Sequence, residues 1–322
     1  MRIAYLGNFS VPYCTEVHVA ASLEALGHQV TRIQEGQVRT AVVPRMSERH
    51  DCFLWTQTYS LAERGGTRSE RHRMLEQIRK TMPTVGFHLD RWWGLGREHQ
   101  IQEEPFFRVD YLFTADGGHQ DEWERAGVNH LWSPPAVYHA EAVDVDPDPR
   151  LDVDVVFVGA WREYGHKEWW PYRQELITRL EGRYGDRFTC WPRAGEPAVR
   201  GLDLNRLYAS AKVVVGDSCL AGAAHCYFSD RVPETLGRGG FLIHPQVKGL
   251  GVIHPELPTY PLGDWNALFD LIDWYIANPA QREELRRRLA SDVRANHTYM
   301  NRMQYVIGVI GGADAARYLC AH

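Results

Sequence analysis

Ser229, Arg231 and Glu234 sit close together in the stretch Ser229-Asp230-Arg231-Val232-Pro233-Glu234-Thr235-Leu236-Gly237-Arg238-Gly239-Gly240. A hydroxyl and a guanidinium at the start of a helix can bind a phosphate, because backbone N–H groups and the macrodipole there favour an anion. Glu234, one turn further, can accept hydrogen bonds from the two hydroxyls of a ribose. Asp230 reads as the N-cap, Pro233 is tolerated only in a first turn, and Gly239-Gly240 stops the helix. Phe241-Leu242-Ile243 then forms an apolar run suited to a parallel strand covered on both faces.

Further chemistry-bearing side chains fall at the ends of expected strands in the N-terminal half. The strand Pro83 to His88 leads into Leu89-Asp90-Arg91-Trp92-Trp93. Loops at the C-terminal ends of strands are where α/β proteins place chemistry. His88 or Asp90 can serve as a general base on an acceptor hydroxyl, and Trp92 and Trp93 can stack on a sugar or a base. The alternative is a tryptophan-anchored structural loop. The strand Tyr111 to Thr114 ends in Ala115-Asp116-Gly117-Gly118-His119, again a carboxylate and a histidine, with glycines that permit close approach.

These loops need a scaffold. Arg2 to Leu6 is a strand, Gly7-Asn8 its exit loop, Thr15 the cap of a helix bearing Val19, Leu23 and Leu26, and Gln29 to Ile33 the next strand. That order opens a doubly wound α/β domain and puts Asn8 at its working edge. No Gly-x-Gly-x-x-Gly follows, so a dinucleotide cofactor is not expected. Residues 140–152, with alternating acids, Pro147 and Pro149, read as an exposed linker. A second α/β unit starts at Val153 to Val158, with Gly159 in its loop, and continues through Phe188 to Pro192, a helix capped by Asp203, and Lys212 to Val215. Helices follow from Asp264, from Asn278-Pro279 and from Asn301.

The 322 residues suit two domains. A net charge of −5 argues against a general nucleic-acid binder, although residues 68–80 form a basic helix, read as a solvated face or as a surface for an anionic acceptor. Six scattered cysteines, with no Cys-x-x-Cys, read as reduced thiols in a cytoplasmic protein. No apolar run approaches a membrane span, and no carboxylate cluster has metal-ligand spacing.

The segment from Leu204 through His244 resembles the nucleotide-sugar signature of GT-B glycosyltransferases of the "glycosyl transferases group 1" type, and the chain is similar to CgeB-like proteins. The resemblance implies an α/β GT-B fold: two Rossmann-like domains facing across a cleft, residues 1–142 for the acceptor and 143–298 for the donor, with 299–322 returning to the first domain. It implies that Glu234 holds the nucleotide ribose, that Gly159 and the basic residues after it (Arg162, His166 or Lys167) bind the donor diphosphate, and that Trp191 stacks on the base. Many retaining members carry a second glutamate where this chain has Cys226. The expected activity is transfer of a sugar from a nucleotide-sugar to an acceptor hydroxyl. No metal or other cofactor takes part, and retention is favoured over inversion. For inversion, Asp90, Asp116 or His119 must supply the base. A non-catalytic binding protein is the alternative, and DNA or a protein is the alternative acceptor.

Overall fold

The computed structural model describes residues 1–57, 66–160, 167–193 and 195–312, with Lys167 described by its backbone only. The chain divides into two compact units, residues 1–134 with the segment from Tyr299 onward, and residues 135–298.

In the first unit β1 (Arg2–Gly7), α1 (Thr15–Ala25), β2 (Gln29–Gln34), α2 (Val43–Ser47), β3 (Cys52–Trp55), α3 (Arg68–Arg79), β4 (Thr84–His88), α4 (His99–Glu103), β5 (Tyr111–Thr114), α5 (Gln120–Arg125) and β6 (His130–Trp132) follow in order. The six strands form one parallel sheet, ordered β2-β1-β3-β4-β5-β6. The inner strands, buried on both faces, are apolar nearly throughout, as in Cys52-Phe53-Leu54-Trp55, whereas the edge strand β2 is polar and largely exposed. Trp55, Phe106, Phe107 and Trp123 fill the core on one face.

The cap at α1 differs from expectation. Cys14, not Thr15, occupies the N-cap, and no side chain caps this helix. Helix α3 opens with a full capping box between Thr67 and Glu70. Its basic character does not make a continuous cationic face. Arg71 is buried, Arg68 pairs with Glu103, and Arg79 pairs with Asp110.

In the second unit β7 (Val153–Val158), α6 (Arg173–Tyr184), β8 (Phe188–Trp191), α7 (Gly201–Ser210), β9 (Ala211–Val215), α8 (Arg231–Gly237), β10 (Leu242–Pro245), α9 (Leu250–Ile253), β11 (Thr259–Tyr260), α10 (Trp265–Ala277) and α11 (Pro279–Asn296) build a parallel sheet ordered β11-β10-β9-β7-β8. Asp264 caps α10 through Ala267 N, whereas Asp203 lies inside the first turn of α7 rather than at its cap.

Residues 140–152 are largely exposed, as a linker would be, but the segment is tied down at its start. Glu141 is buried in an ion pair with Arg238, Asn205 Nδ2 donates to the Glu141 and Val143 carbonyls, and Asp144 accepts from Arg294. The acids that looked solvent-facing are partners for arginines from α8 and α11. Helix α12 (Tyr299–Ile310) belongs to the first unit, where it packs on α1, with the Tyr299 ring beside His18 and Tyr305 edge-on to Phe113.

Candidate active site

In open parallel sheets the ends of the strands carry the ligand. At the end of β7, the Arg231 guanidinium donates to the Val158 carbonyl and lies flat against Gly159. A Cβ on Gly159 would sit 3.0 Å from Arg231 Cζ, so the glycine is what lets the arginine approach. Arg231 opens α8, and Glu234 follows one turn later.

The Glu234 carboxyl is half-buried, with no side-chain hydrogen bond or ion pair to any described residue. Burial, and then Asp230, push its pKa up to about 7, against the pull of Arg238, Arg231 and Arg200. A carboxyl left unpaired in such surroundings is a costly arrangement unless a ligand supplies the missing donors.

Ser229 and Asp230 differ from the sequence reading. Asp230 occupies the N-cap position of α8 as expected, but its side chain makes no capping hydrogen bond. It accepts the Ser229 hydroxyl at 3.0 Å, and Ser229 Oγ in turn accepts from Arg231 N at 3.3 Å. Ser229 is buried, so its hydroxyl shapes the start of α8 instead of standing open to a phosphate.

Four residues that the sequence left without a role, Arg173, Asp217, Ser218 and His244, frame this corner. Arg173, at the start of α6, makes a bidentate buried pair with Asp217, at 2.7 and 3.0 Å, and donates to the Ala160 carbonyl at 2.7 Å. It therefore ties the loop after β7 to the loop after β9. Ser218, next to Asp217, accepts from Ser229 N at 3.0 Å and lies 2.9 Å from His244 Nε2. His244 Nδ1 faces its neighbour's carbonyl at 2.7 Å, so the Nδ1–H tautomer donates there and Nε2 accepts from Ser218. These bonds fix the start of α8 relative to the strand ends.

Of the remaining donor candidates, Arg162, His166 and the Lys167 side chain lie outside the described residues. Trp191 is half-buried at the end of β8, and its carbonyl accepts from Gly159 N at 2.7 Å. Its ring is covered by Arg193 and lines a cavity of about 500 Å³ with Asp148, Arg150, Asp203 and Arg206. That cavity contains none of Gly159, Arg231 and Glu234.

In the first unit, local bonds occupy the groups proposed as bases. His88 Nδ1 accepts from Asp90 N at 3.0 Å, which leaves Nε2–H to donate to the Gln57 carbonyl at 2.9 Å. Asp116 is fully buried and accepts from Trp92 N at 2.8 Å and Trp93 N at 3.0 Å. Burial raises its pKa to about 6, although both backbone bonds and Arg91 pull it down. Trp92 is itself core, packed on Phe106 and Phe107, and is therefore closed to a ligand.

Trp93 and His119 are half-buried, their rings 5.7 Å apart, with His119 Nδ1 3.9 Å from Glu122. Asp90 is exposed beside Arg97, and Asn8 is buried, its Oδ1 accepting from Ser10 and Gln34. The loop after β4 is thus held by a carboxylate that sequence reading assigned to catalysis.

Residues 161–308 match the family described as Glycosyl transferase-like. No curated protein matches the chain. Among solved structures, an α-glucosyltransferase in complex with UDP-glucose and DNA containing an abasic site is similar at TM-score 0.65 and 10% identity, over 97% of this chain and 99% of that one. Anabaena Alr3699/HepE, in complex with UDP and glucose, is similar at TM-score 0.61 and 14% identity, over 97% and 99%. The N-terminal domain of Candida albicans trehalose-6-phosphate phosphatase is similar at TM-score 0.62 and 8% identity, over 97% and 96%. Identities this small carry the fold, which is GT-B. No described helix is long and apolar enough to cross a membrane.

Proposed function

Taking the chain as a glycosyltransferase-type enzyme of GT-B fold, we propose that its second unit binds a nucleotide-sugar and that the sugar passes to an acceptor hydroxyl. The observation that carries this reading is the unpaired, half-buried Glu234 carboxyl one turn from Arg231 at the strand ends. Glu234 accepts the ribose diol. Arg231, whose guanidinium already spans Gly159 and Val158, faces the diphosphate and stabilises charge as it develops on the leaving group. Arg173 and Asp217 act through position, holding the two loops between which that charge forms. UDP is the first nucleotide to test, since the α-glucosyltransferase and HepE structures contain it.

Retention of configuration is favoured. Asp116 is fully buried with Oδ2 accepting from two backbone N–H groups, and His88 Nδ1 accepts from a third, which supports a scheme where the departing phosphate, rather than a protein base, assists the acceptor. The scheme requires no metal. Of the α3 arginines, Arg71 is buried, Arg68 and Arg79 are paired with carboxylates and Arg73 is exposed, and the net charge is −5, which together favour an acceptor other than a nucleic acid.

Titration with a panel of nucleoside diphosphates and their sugars, followed by measurement of free nucleotide release with candidate acceptors, tests the proposal. Saturable binding with turnover supports it. Binding without release of nucleotide to any acceptor favours a non-catalytic two-domain binder, the reading for which Cys226 in place of a second glutamate speaks.

Glu234 also sets a pH dependence. The free carboxyl titrates near 7, and the ribose requires its ionised form. Nucleotide affinity should be level above about pH 8 and should weaken by about tenfold per unit below 7, with proton release on binding at pH 6.5. Calorimetry in buffers of different ionisation enthalpy measures that release. Glu234→Gln should bind more weakly but without the slope, and a slope retained in the variant would place the titrating group elsewhere.

A further inference from the structure

The sequence suggested no metal-ligand spacing, yet three residues far apart in the chain come together in the second unit. One ligand atom each from His254, Asp292 and His297 lie within 4.8 Å of one another. His254 closes α9, Asp292 lies in the penultimate turn of α11, and His297 follows that helix directly. The two imidazole rings are 4.8 Å apart at 63°, and His297 Nε2 is 3.7 Å from Asp292 Oδ2. Both histidines are buried, at 2% and 1% exposure, while the Asp292 side chain is 41% exposed.

We propose that His254, Asp292 and His297 bind a divalent transition-metal ion of the zinc type. Two imidazoles and one carboxylate are a borderline-soft donor set that suits Zn²⁺. Tetrahedral bonds of about 2.0–2.1 Å put neighbouring ligand atoms about 3.3–3.5 Å apart. The 3.7 Å pair is already near that value, and small side-chain rotations close the remainder.

The surroundings are built for the role. Asn296 Nδ2 donates to Asp292 Oδ1 at 2.8 Å, which leaves Oδ2 turned to His297, the outer bond that orients a carboxylate ligand. Val137 N donates to the His297 carbonyl at 3.0 Å and fixes the backbone beside the ring. Phe228 stands edge-on to His254 and supplies an apolar wall. Exposure of Asp292 provides the entry path, and water or a backbone carbonyl completes the coordination. The ion would clamp the turn of α9 to the end of α11. None of the three ligands belongs to the nucleotide corner, so the site is structural and independent of that reading.

The test starts from the full chain after dialysis against a chelator. Zn²⁺ titration should show one tight equivalent per chain and a rise in Tm. Co²⁺ in its place should give the visible d–d bands of tetrahedral coordination. Asp292→Asn, isosteric and partly exposed, should fold normally and weaken binding at least tenfold. Asn296→Ala should weaken it by about 10–100-fold, and His297→Gln should abolish it. Absence of saturable Zn²⁺ and Co²⁺ uptake overturns the proposal, as does uptake unchanged in Asp292→Asn and His297→Gln. Nucleotide binding measured on the same samples reports separately on the proposed activity.

Discussion

Asp217→Ala is expected to destabilise the second unit by about 3–5 kcal/mol, the usual result of removing one partner from a buried ion pair. Arg173 and Asp217 are 6% and 8% exposed and joined by two hydrogen bonds. Without the carboxylate, the guanidinium keeps its bond to Ala160 and its stacking on Trp170, 3.7 Å from the ring, but remains a buried charge without a counterion. The loops after β7 and β9 then lose their common tie. Nucleotide binding should fall together with stability, because Gly159 and Ser218 sit in those loops. The double replacement Arg173→Met with Asp217→Leu should recover much of the stability and little of the binding. Denaturant unfolding and nucleotide titration on the three proteins check this. Full binding in the double variant would show that the pair does not position the site.

Asp116→Ala is expected to cost the first unit about 3–5 kcal/mol, roughly 10 °C in Tm, since two buried backbone N–H groups lose their acceptor and Arg91 its facing carboxylate. Nucleotide affinity in the folded fraction should not change. A catalytic aspartate would behave in the opposite way, with stability kept and turnover lost. Asp116→Asn refines the point. The folded-state pKa is raised from 3.8 to about 6, so the folded unit holds a proton that the unfolded chain releases in that window. The contribution of this group to stability is therefore complete below about pH 4 and is lost as the pH rises to about 6. The asparagine variant should lack that slope in its thermal unfolding.

Asp116 also shows where a sequence stops being informative. The strands were legible because parallel strands covered on both faces are written as short apolar runs, as in Val153 to Val158 and Tyr111 to Thr114. Among the described strands, β11, two residues long, was too short to carry such a run. The Arg231–Glu234 corner was legible because one helical turn places both residues, and helical spacing is a local property.

Whether a carboxylate at a strand end faces a substrate or a backbone N–H is not local. It depends on Trp92 and Trp93, more than 20 positions before Asp116. The Arg173–Asp217 pair spans 44 positions, and the His254, Asp292 and His297 group spans more than 40. Caps failed for a related reason. Asp203 and Asp230 have the right chemistry, but the chain enters α7 three residues earlier at Arg200, and Asp230 spends its oxygen on Ser229. Residues 140–152 looked like free linker because acids and prolines usually face water, and the arginines that claim Glu141 and Asp144 lie about 100 to 150 positions away.

The central claim is that Glu234 holds the nucleotide through its ribose. Calorimetric titration of the wild type and Glu234→Ala with the preferred nucleoside diphosphate, set beside its 2′,3′-dideoxy form, tests this most directly. The account predicts a loss of about 1–3 kcal/mol in Glu234→Ala, a similar loss for the dideoxy ligand on the wild type, and no additional loss when the two are combined. Equal affinity in wild type and variant, or losses that simply add, would contradict it.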